Sequence, residues 1–101
     1  MSSVDIKRVT ILKMLLEYAE KKDIVFVPEE FLMFMWYKYR RQGKYVRFST
    51  VLRYLREFAR AGLLERHYRT VDTAFGPTRT VVYVIRRLSI KNVLKSMGVE
   101  V

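Results

Sequence analysis

Arg53, Arg56 and Arg60 recur at intervals of three and four, and with Ser49, Thr50 and Glu57 they share one face of a helix drawn through residues 49–61. Arg47 and Tyr54 stand at its edge. Guanidinium groups on one face offer permanently charged, forked hydrogen-bond donors suited to an anion. The opposite positions, Val51, Leu52, Leu55, Phe58 and Ala59, are apolar, so one side goes to a core and the other is available to something anionic.

The charge of the whole chain is concentrated in the same region. Over 101 residues the formal charge is +10. Residues 38–69 hold ten basic and two acidic side chains, net +8, whereas residues 1–37 are net −1 and residues 70–101 net +3. A basic block of this density is the expected electrostatic footprint of a polyanion partner. The alternative is a solvated basic face that aids solubility.

Other chemistries find little support. Without cysteine the chain has no disulfide or thiolate metal site, and the single His67 makes no histidine cluster. His67 reads as a strand residue. There is no Gly-rich phosphate loop and no nucleophile with a recognisable base, and the acids Asp5, Asp23, Glu29, Glu30 and Asp72 show no catalytic spacing. The expectation is therefore a protein that is not an enzyme, with no metal, cofactor or small-molecule ligand. The N-terminus MSSVDIKRVT lacks the apolar run of a signal peptide, and no segment approaches the roughly 18–20 apolar residues that span a bilayer. A cytoplasmic protein of a reducing compartment, with no membrane partner, is expected. Gln42 and Asn92 are the only uncharged amides beside plentiful Arg, Lys and Glu, a bias found in proteins from hot environments.

The elements that must position the basic face follow from periodicity and punctuation. In a first helix over about 4–21, Val9, Leu12, Leu15, Leu16 and Ala19 share one face, and a second stripe of Val4, Ile11 and Tyr18 predicts a further apolar neighbour outside the domain. Ile24 to Val27 reads as a short strand. Pro28, Glu29 and Glu30 then open a second helix over about 28–41, with fixed φ and carboxylates at the positive end of the dipole. Ser49 is the expected N-cap of the third helix, over about 49–61, which Gly62 ends. Residues 64–71 and 80–87 predict an antiparallel hairpin with a broad loop, DTAFGPTR. Tyr68 and Tyr83 read as hairpin packing. Ser89 is the expected cap of a last helix, over about 89–97, closed by Gly98. The whole reads as one α+β domain of residues 1–101.

That order, with FSTVLRYLREFARAGLLER leading into a basic hairpin, resembles the winged helix-turn-helix domains of bacterial and archaeal transcription regulators over about residues 28–87. Phe48-Ser49-Thr50-Val51 is similar to the start of that family's recognition helix, and Ala61-Gly62-Leu63-Leu64-Glu65-Arg66 to its exit into the first wing strand. The strands around DTAFGPTR resemble the wing. Ser49 stands six positions after Gly43, a longer turn than many relatives have.

The resemblance implies a sequence-specific regulator bound to double-stranded DNA in the nucleoid, with the third helix in the major groove. Arg47, Ser49, Thr50, Arg53 and Tyr54 would then lie closest to bases, Arg53 being the candidate for paired hydrogen bonds to guanine. Arg41, Lys44, Arg56 and Arg60 would meet phosphates. The wing would bring Arg69 and Arg79 to the backbone or minor groove, and Phe75 at its tip would rest on sugar or fold down locally. Glu57, one turn after Arg53, predicts an intrahelical ion pair in preference to accepting a hydrogen bond from cytosine. One helix reads few base pairs, which implies a homodimer on two half-sites. Val4, Ile11, Tyr18, Val93, Leu94 and Met97, with Ile90, supply the expected surfaces. A protein-interaction module in a replication, transcription or division assembly is the alternative, since fold alone does not separate the two. Structured RNA is a third reading, disfavoured by its deep, narrow major groove.

The stretch FLMFMWYKY, residues 31–39, is apolar or aromatic at every position but Lys38. Leu32, Met35, Trp36 and Tyr39 fall with Pro28 on one side and are expected to close over the third helix. Phe34 and Tyr37 point farthest from that direction, toward either the first helix or a partner.

Overall fold

The computed structural model describes residues 3–40 and 47–100. Seven elements follow in order: α1 Ser3–Lys21, β1 Val25–Phe26, α2 Pro28–Arg40, α3 Phe48–Arg60, β2 Leu64–Thr73, β3 Gly76–Ile85 and α4 Arg87–Ser96. The class is α+β, with four helices and an antiparallel sheet of order β1-β3-β2 among the described residues. Arg41 and Lys44 lie outside the described residues, as does the side chain of Val4.

α1 packs against α2, α3, α4 and β3, so it has neighbours on several sides. Described residues of both apolar stripes therefore serve the same chain: Leu12 and Leu15 are fully buried, and Ile11 and Tyr18, contrary to expectation, are buried as well. The Tyr18 ring meets Phe26, Phe31 and Phe34 edge-on at 5.6, 5.8 and 5.3 Å, the tilted geometry that aromatic quadrupoles favour. Neither Ile11 nor Tyr18 is available to a partner. Leu94 of α4 is likewise buried, and Val93 packs half-buried against the core, while Met97 is half-buried at the helix end.

After α1 the Asp23 carboxylate accepts the Val25 N–H at 3.2 Å and turns the chain into β1. There Val25 pairs with Val84 and Phe26 with Tyr83, and the last two rings stack at 5.6 Å. The Val27 carbonyl accepts the Glu30 N–H at 3.1 Å while the Glu30 carboxylate accepts the Val27 N–H at 3.3 Å, a reciprocal arrangement that starts α2.

The buried side of α2 is Phe31, Met35 and Tyr39, spaced by four. This differs from the expected side by a rotation about the helix axis. Phe31 is core and Leu32 only half-buried, while Trp36 is 43% and Tyr37 62% exposed. Contact with Tyr18 and Phe26, in addition to α3, draws Phe31 inward and Phe34 to the edge of the core. Glu17 of α1 pairs with Lys38 of α2 and, at 2.8 Å, with Lys21. Hydrogen bonds from Lys21 and then Lys38 hold its carboxyl below the ordinary carboxylate range.

Helix α3 begins one residue earlier than expected. Arg47, in extended conformation, is its N-cap, its carbonyl accepting the Val51 N–H at 3.1 Å with no side-chain cap. Ser49 lies past the capping position. Ser89 is likewise inside α4, whose N-cap is Arg86. Both helices end alike. Gly62 and Gly98 take φ +80 and +78, and the next residue's N–H reaches back to a carbonyl of the last turn: Leu63 to Phe58 and Val99 to Leu94, each at 2.9 Å. Only glycine adopts that backbone without steric cost.

The hairpin has a tighter end than DTAFGPTR predicts. Pairing runs unbroken from Leu64↔Ile85 to Thr73↔Gly76, so only Ala74 and Phe75 form the turn. The Thr73 hydroxyl donates to the Gly76 carbonyl at 2.8 Å and accepts the Phe75 N–H at 3.2 Å. Strands of 10 residues extend roughly 33 Å. Only the base, with Leu64, Val82, Tyr83 and Ile85, is buried; beyond Leu64, β2 is exposed throughout.

Candidate nucleic-acid interface

Burial of Val51, Leu55 and Phe58 fixes the rotation of α3, leaving Arg53, Arg56 and Arg60 exposed on its far side, with Arg47 and Ser49 exposed at its start. Thr50 is half-buried. Tyr54 is not on this surface: it is 2% exposed and packs beside Phe58 at 5.9 Å. It lies on the buried arc because α1 crosses close to α3 there, as the Arg8 contact shows. The guanidinium groups of Arg53 and Arg8 stand 5.5 and 5.9 Å from its ring centre. Tyr54 is thus a buried platform beneath cations.

Glu57 does not pair with Arg53. Its carboxylate accepts from the Arg8 guanidinium of α1 at 3.1 Å. Among the described residues, no carboxylate stands at ion-pair distance from Arg47, Arg53, Arg56, Arg60, Arg66, Arg69 or Arg79.

The hairpin register sorts its arginines by face. Side chains alternate along a strand, so the face that is core at the base continues outward as Arg66 and Tyr68 on β2 opposite Tyr83 and Val81 on β3, with Arg79 beyond. Arg69, paired with Thr80, points to the other face. The two arginines expected to act together are therefore on opposite sides of the ribbon. Arg79 stands 4.4 Å and Arg66 5.4 Å from the centre of the Tyr68 ring, which is 53% exposed. Tyr68 is flanked by cations instead of being packed into the hairpin. His67, exposed on the opposite face, stands 3.9 Å from Glu65.

Arg66 was not among the residues expected at the site, although its parity with the apolar Leu64 marks it for the inward face. It joins Arg56 and Arg79 around a cleft of about 350 Å³ between the start of α2, α3 and the hairpin. Pro28, Glu29, Phe48, Leu52, Val81 and Tyr83 also line it. A basic surface thus runs from the outer side of α3 into the angle with the hairpin.

Among the described residues no group of three or more His, Cys, Asp or Glu side chains is placed to hold a metal ion, and no helix is long and apolar enough to cross a membrane.

The arrangement, a helix with a charged outer side followed directly by a projecting antiparallel hairpin, is compatible with a winged helix. No family model matches the chain, and no curated protein matches it. A solved structure described as "Structure of Prokaryotic Transcription Factors" is similar to it, with 19% identity and a TM-score of 0.48 over 100% of this chain and 87% of that one.

Proposed function

We propose that the chain is a single winged helix-turn-helix domain that binds double-stranded DNA sequence-specifically and regulates transcription by occupying its site. The observation that carries this reading is the row of arginines on α3 and the hairpin, with no carboxylate at ion-pair distance among the described residues. In a major groove, α3 presents Arg53 to base edges, where a guanidinium makes two hydrogen bonds to guanine. Arg56 and Arg60 meet phosphates, and the hairpin lies along the backbone or minor groove. The protein acts by binding and is not an enzyme.

A symmetric dimer on two half-sites belongs to the same proposal. Of the surfaces expected for it, Tyr37 remains exposed, beside Met33 and Trp36 on α2. That apolar patch also favours the second reading, a protein-interaction module.

Duplex binding measured against salt concentration, with Arg53→Ala alongside, tests the choice. A sequence-specific DNA protein loses affinity with a log–log slope of about −0.9 per phosphate contacted. Arg53→Ala should relax discrimination at one base position, by about 1–3 kcal/mol. Absence of measurable duplex binding at low salt overturns the reading and leaves the interaction module. A molecular mass in solution equal to one chain, with and without DNA, overturns the dimer.

A further inference from the structure

We infer that the cleft between α3 and the hairpin is a binding site for a small organic anion with an aromatic or branched apolar body, and that its occupant competes with DNA. Arg56, Arg66 and Arg79 line the cleft with a single carboxylate, Glu29, so it holds a net positive charge with no ion pair among them. Arg66 and Arg79 lie against the Tyr68 ring, a contact that orients a guanidinium without neutralising it. Their donors remain available to an incoming carboxylate, sulfonate or phosphate.

Charge alone would fit any anion, and the apolar lining narrows the class. Phe48, Leu52 and Val81 face the same space. A bare phosphate gains nothing from apolar walls, whereas an amphipathic anion buries its ring against them and pairs its head with the arginines. The volume of about 350 Å³ suits such a molecule. Glu29 adds an acceptor for a donor on the ligand's body. Arg56 belongs both to the charged side of α3 and to the cleft, so an occupant that takes up its charge removes a contact from DNA. This last clause rests on the proposed DNA binding; the site itself does not.

Calorimetric titration of the full chain with 1-naphthyl phosphate, inorganic phosphate and 1-naphthalenemethanol tests the site. The amphipathic probe should bind at least about tenfold more tightly than either half, because only it uses both kinds of wall. The exposed pair Arg66→Met with Arg79→Met should weaken it by about tenfold while the thermal melt stays unchanged. Inorganic phosphate binding as tightly as the naphthyl ester, the neutral alcohol doing so, or an unaffected double variant would each overturn the proposal. Anisotropy of a labelled duplex then reads competition, expected as a rise in apparent Kd by the factor 1 + [probe]/Kd of the probe. Probe binding with duplex affinity unchanged sinks the competition. Probe binding with no duplex affinity at all sustains the site and overturns the DNA reading.

Discussion

The Arg8 guanidinium lies 3.1 Å from the Glu57 carboxylate and ties the first turns of α1 to the C-terminal half of α3. Glu57 is the one acidic side chain of α3, on a helix whose exposed side carries Arg53, Arg56 and Arg60. With side chains 39% and 41% exposed, the pair stabilises the fold by no more than about 0.2–1 kcal/mol. Its larger effect is on the surface potential. Arg8→Ala should leave the thermal melt within a few degrees of the parent yet weaken duplex binding about threefold at low salt, by freeing a negative charge beside the interface. Adding Glu57→Gln should restore binding. An Arg8→Ala variant that binds like the parent would show that Glu57 does not face DNA.

Tyr54, at 2% exposure, belongs to the core. Tyr54→Ala should therefore destabilise the protein by about 3–5 kcal/mol, as other large-to-small aromatic changes in cores do. Tyr54→Phe keeps the ring and should leave base discrimination intact. Urea unfolding of both variants, with duplex affinity measured where each is folded, separates packing from contact: lost discrimination in folded Tyr54→Phe would restore the tyrosine to the interface.

How much of this was legible in the sequence differs from element to element. The order of helices, strand and hairpin was readable, because apolar period and the punctuation of Pro28, Gly62 and Gly98 are local signals. So was the charged side of α3, where arginines and apolar residues alternate cleanly. In FLMFMWYKY only Lys38 marks a polar side, so composition cannot phase the helix. Tyr18 and Phe26, from other elements, decide which residues face inward. The same applies to Glu57, whose partner Arg8 is 49 residues away. Ser49 and Ser89 show the limit of capping signals, since a hydroxyl is tolerated within a first turn as well as before it. In the hairpin, Gly76-Pro77 marks the turn correctly as a region. It follows the two turn residues, however, because Thr73 closes the chain onto Gly76. Arg66 was readable by counting in twos from Leu64, once the strand was known to continue unbroken.

Ionisation of α1 and α2 predicts how stability depends on pH. The Glu17 carboxyl is lowered by hydrogen bonds from Lys21 and Lys38, so it is more acidic folded than unfolded. Its contribution is present above the unfolded value, near 4.5, and is lost as pH falls through the folded one. Tyr18 and Tyr39 are shifted upward, chiefly by burial, which disfavours the phenolate. Their contribution is full below the unfolded value of 10.0 and is lost as pH rises through the folded one. Urea midpoints against pH should therefore fall at both ends. Glu17→Gln should flatten the acid side and, because the hydrogen bond to Glu17 is the chief cause that raises Lys21, also alter the alkaline side; an unchanged acid limb in that variant would rule out the Glu17 pairings as its cause.

Phe75 is 100% exposed at the end of the hairpin, in a two-residue turn held by the Thr73 hydroxyl. Among the described residues none covers the ring, so Phe75→Ala removes no packing and should change stability by no more than about 0.5 kcal/mol. On a duplex the ring has a surface to cover, against sugar or between base steps, and burying an apolar side chain of this size stabilises by about 1.5–3 kcal/mol. Phe75→Ala should therefore lower duplex affinity about tenfold or more while leaving the salt slope unchanged, since no charge is lost. Arg69→Ala, on the hairpin's other face, provides the contrast: if that arginine meets a phosphate, its loss reduces the slope by about 0.9. Anisotropy titrations at several salt concentrations distinguish the two. Unchanged affinity in folded Phe75→Ala would mean that the tip stands clear of the DNA and that the hairpin acts through its arginines.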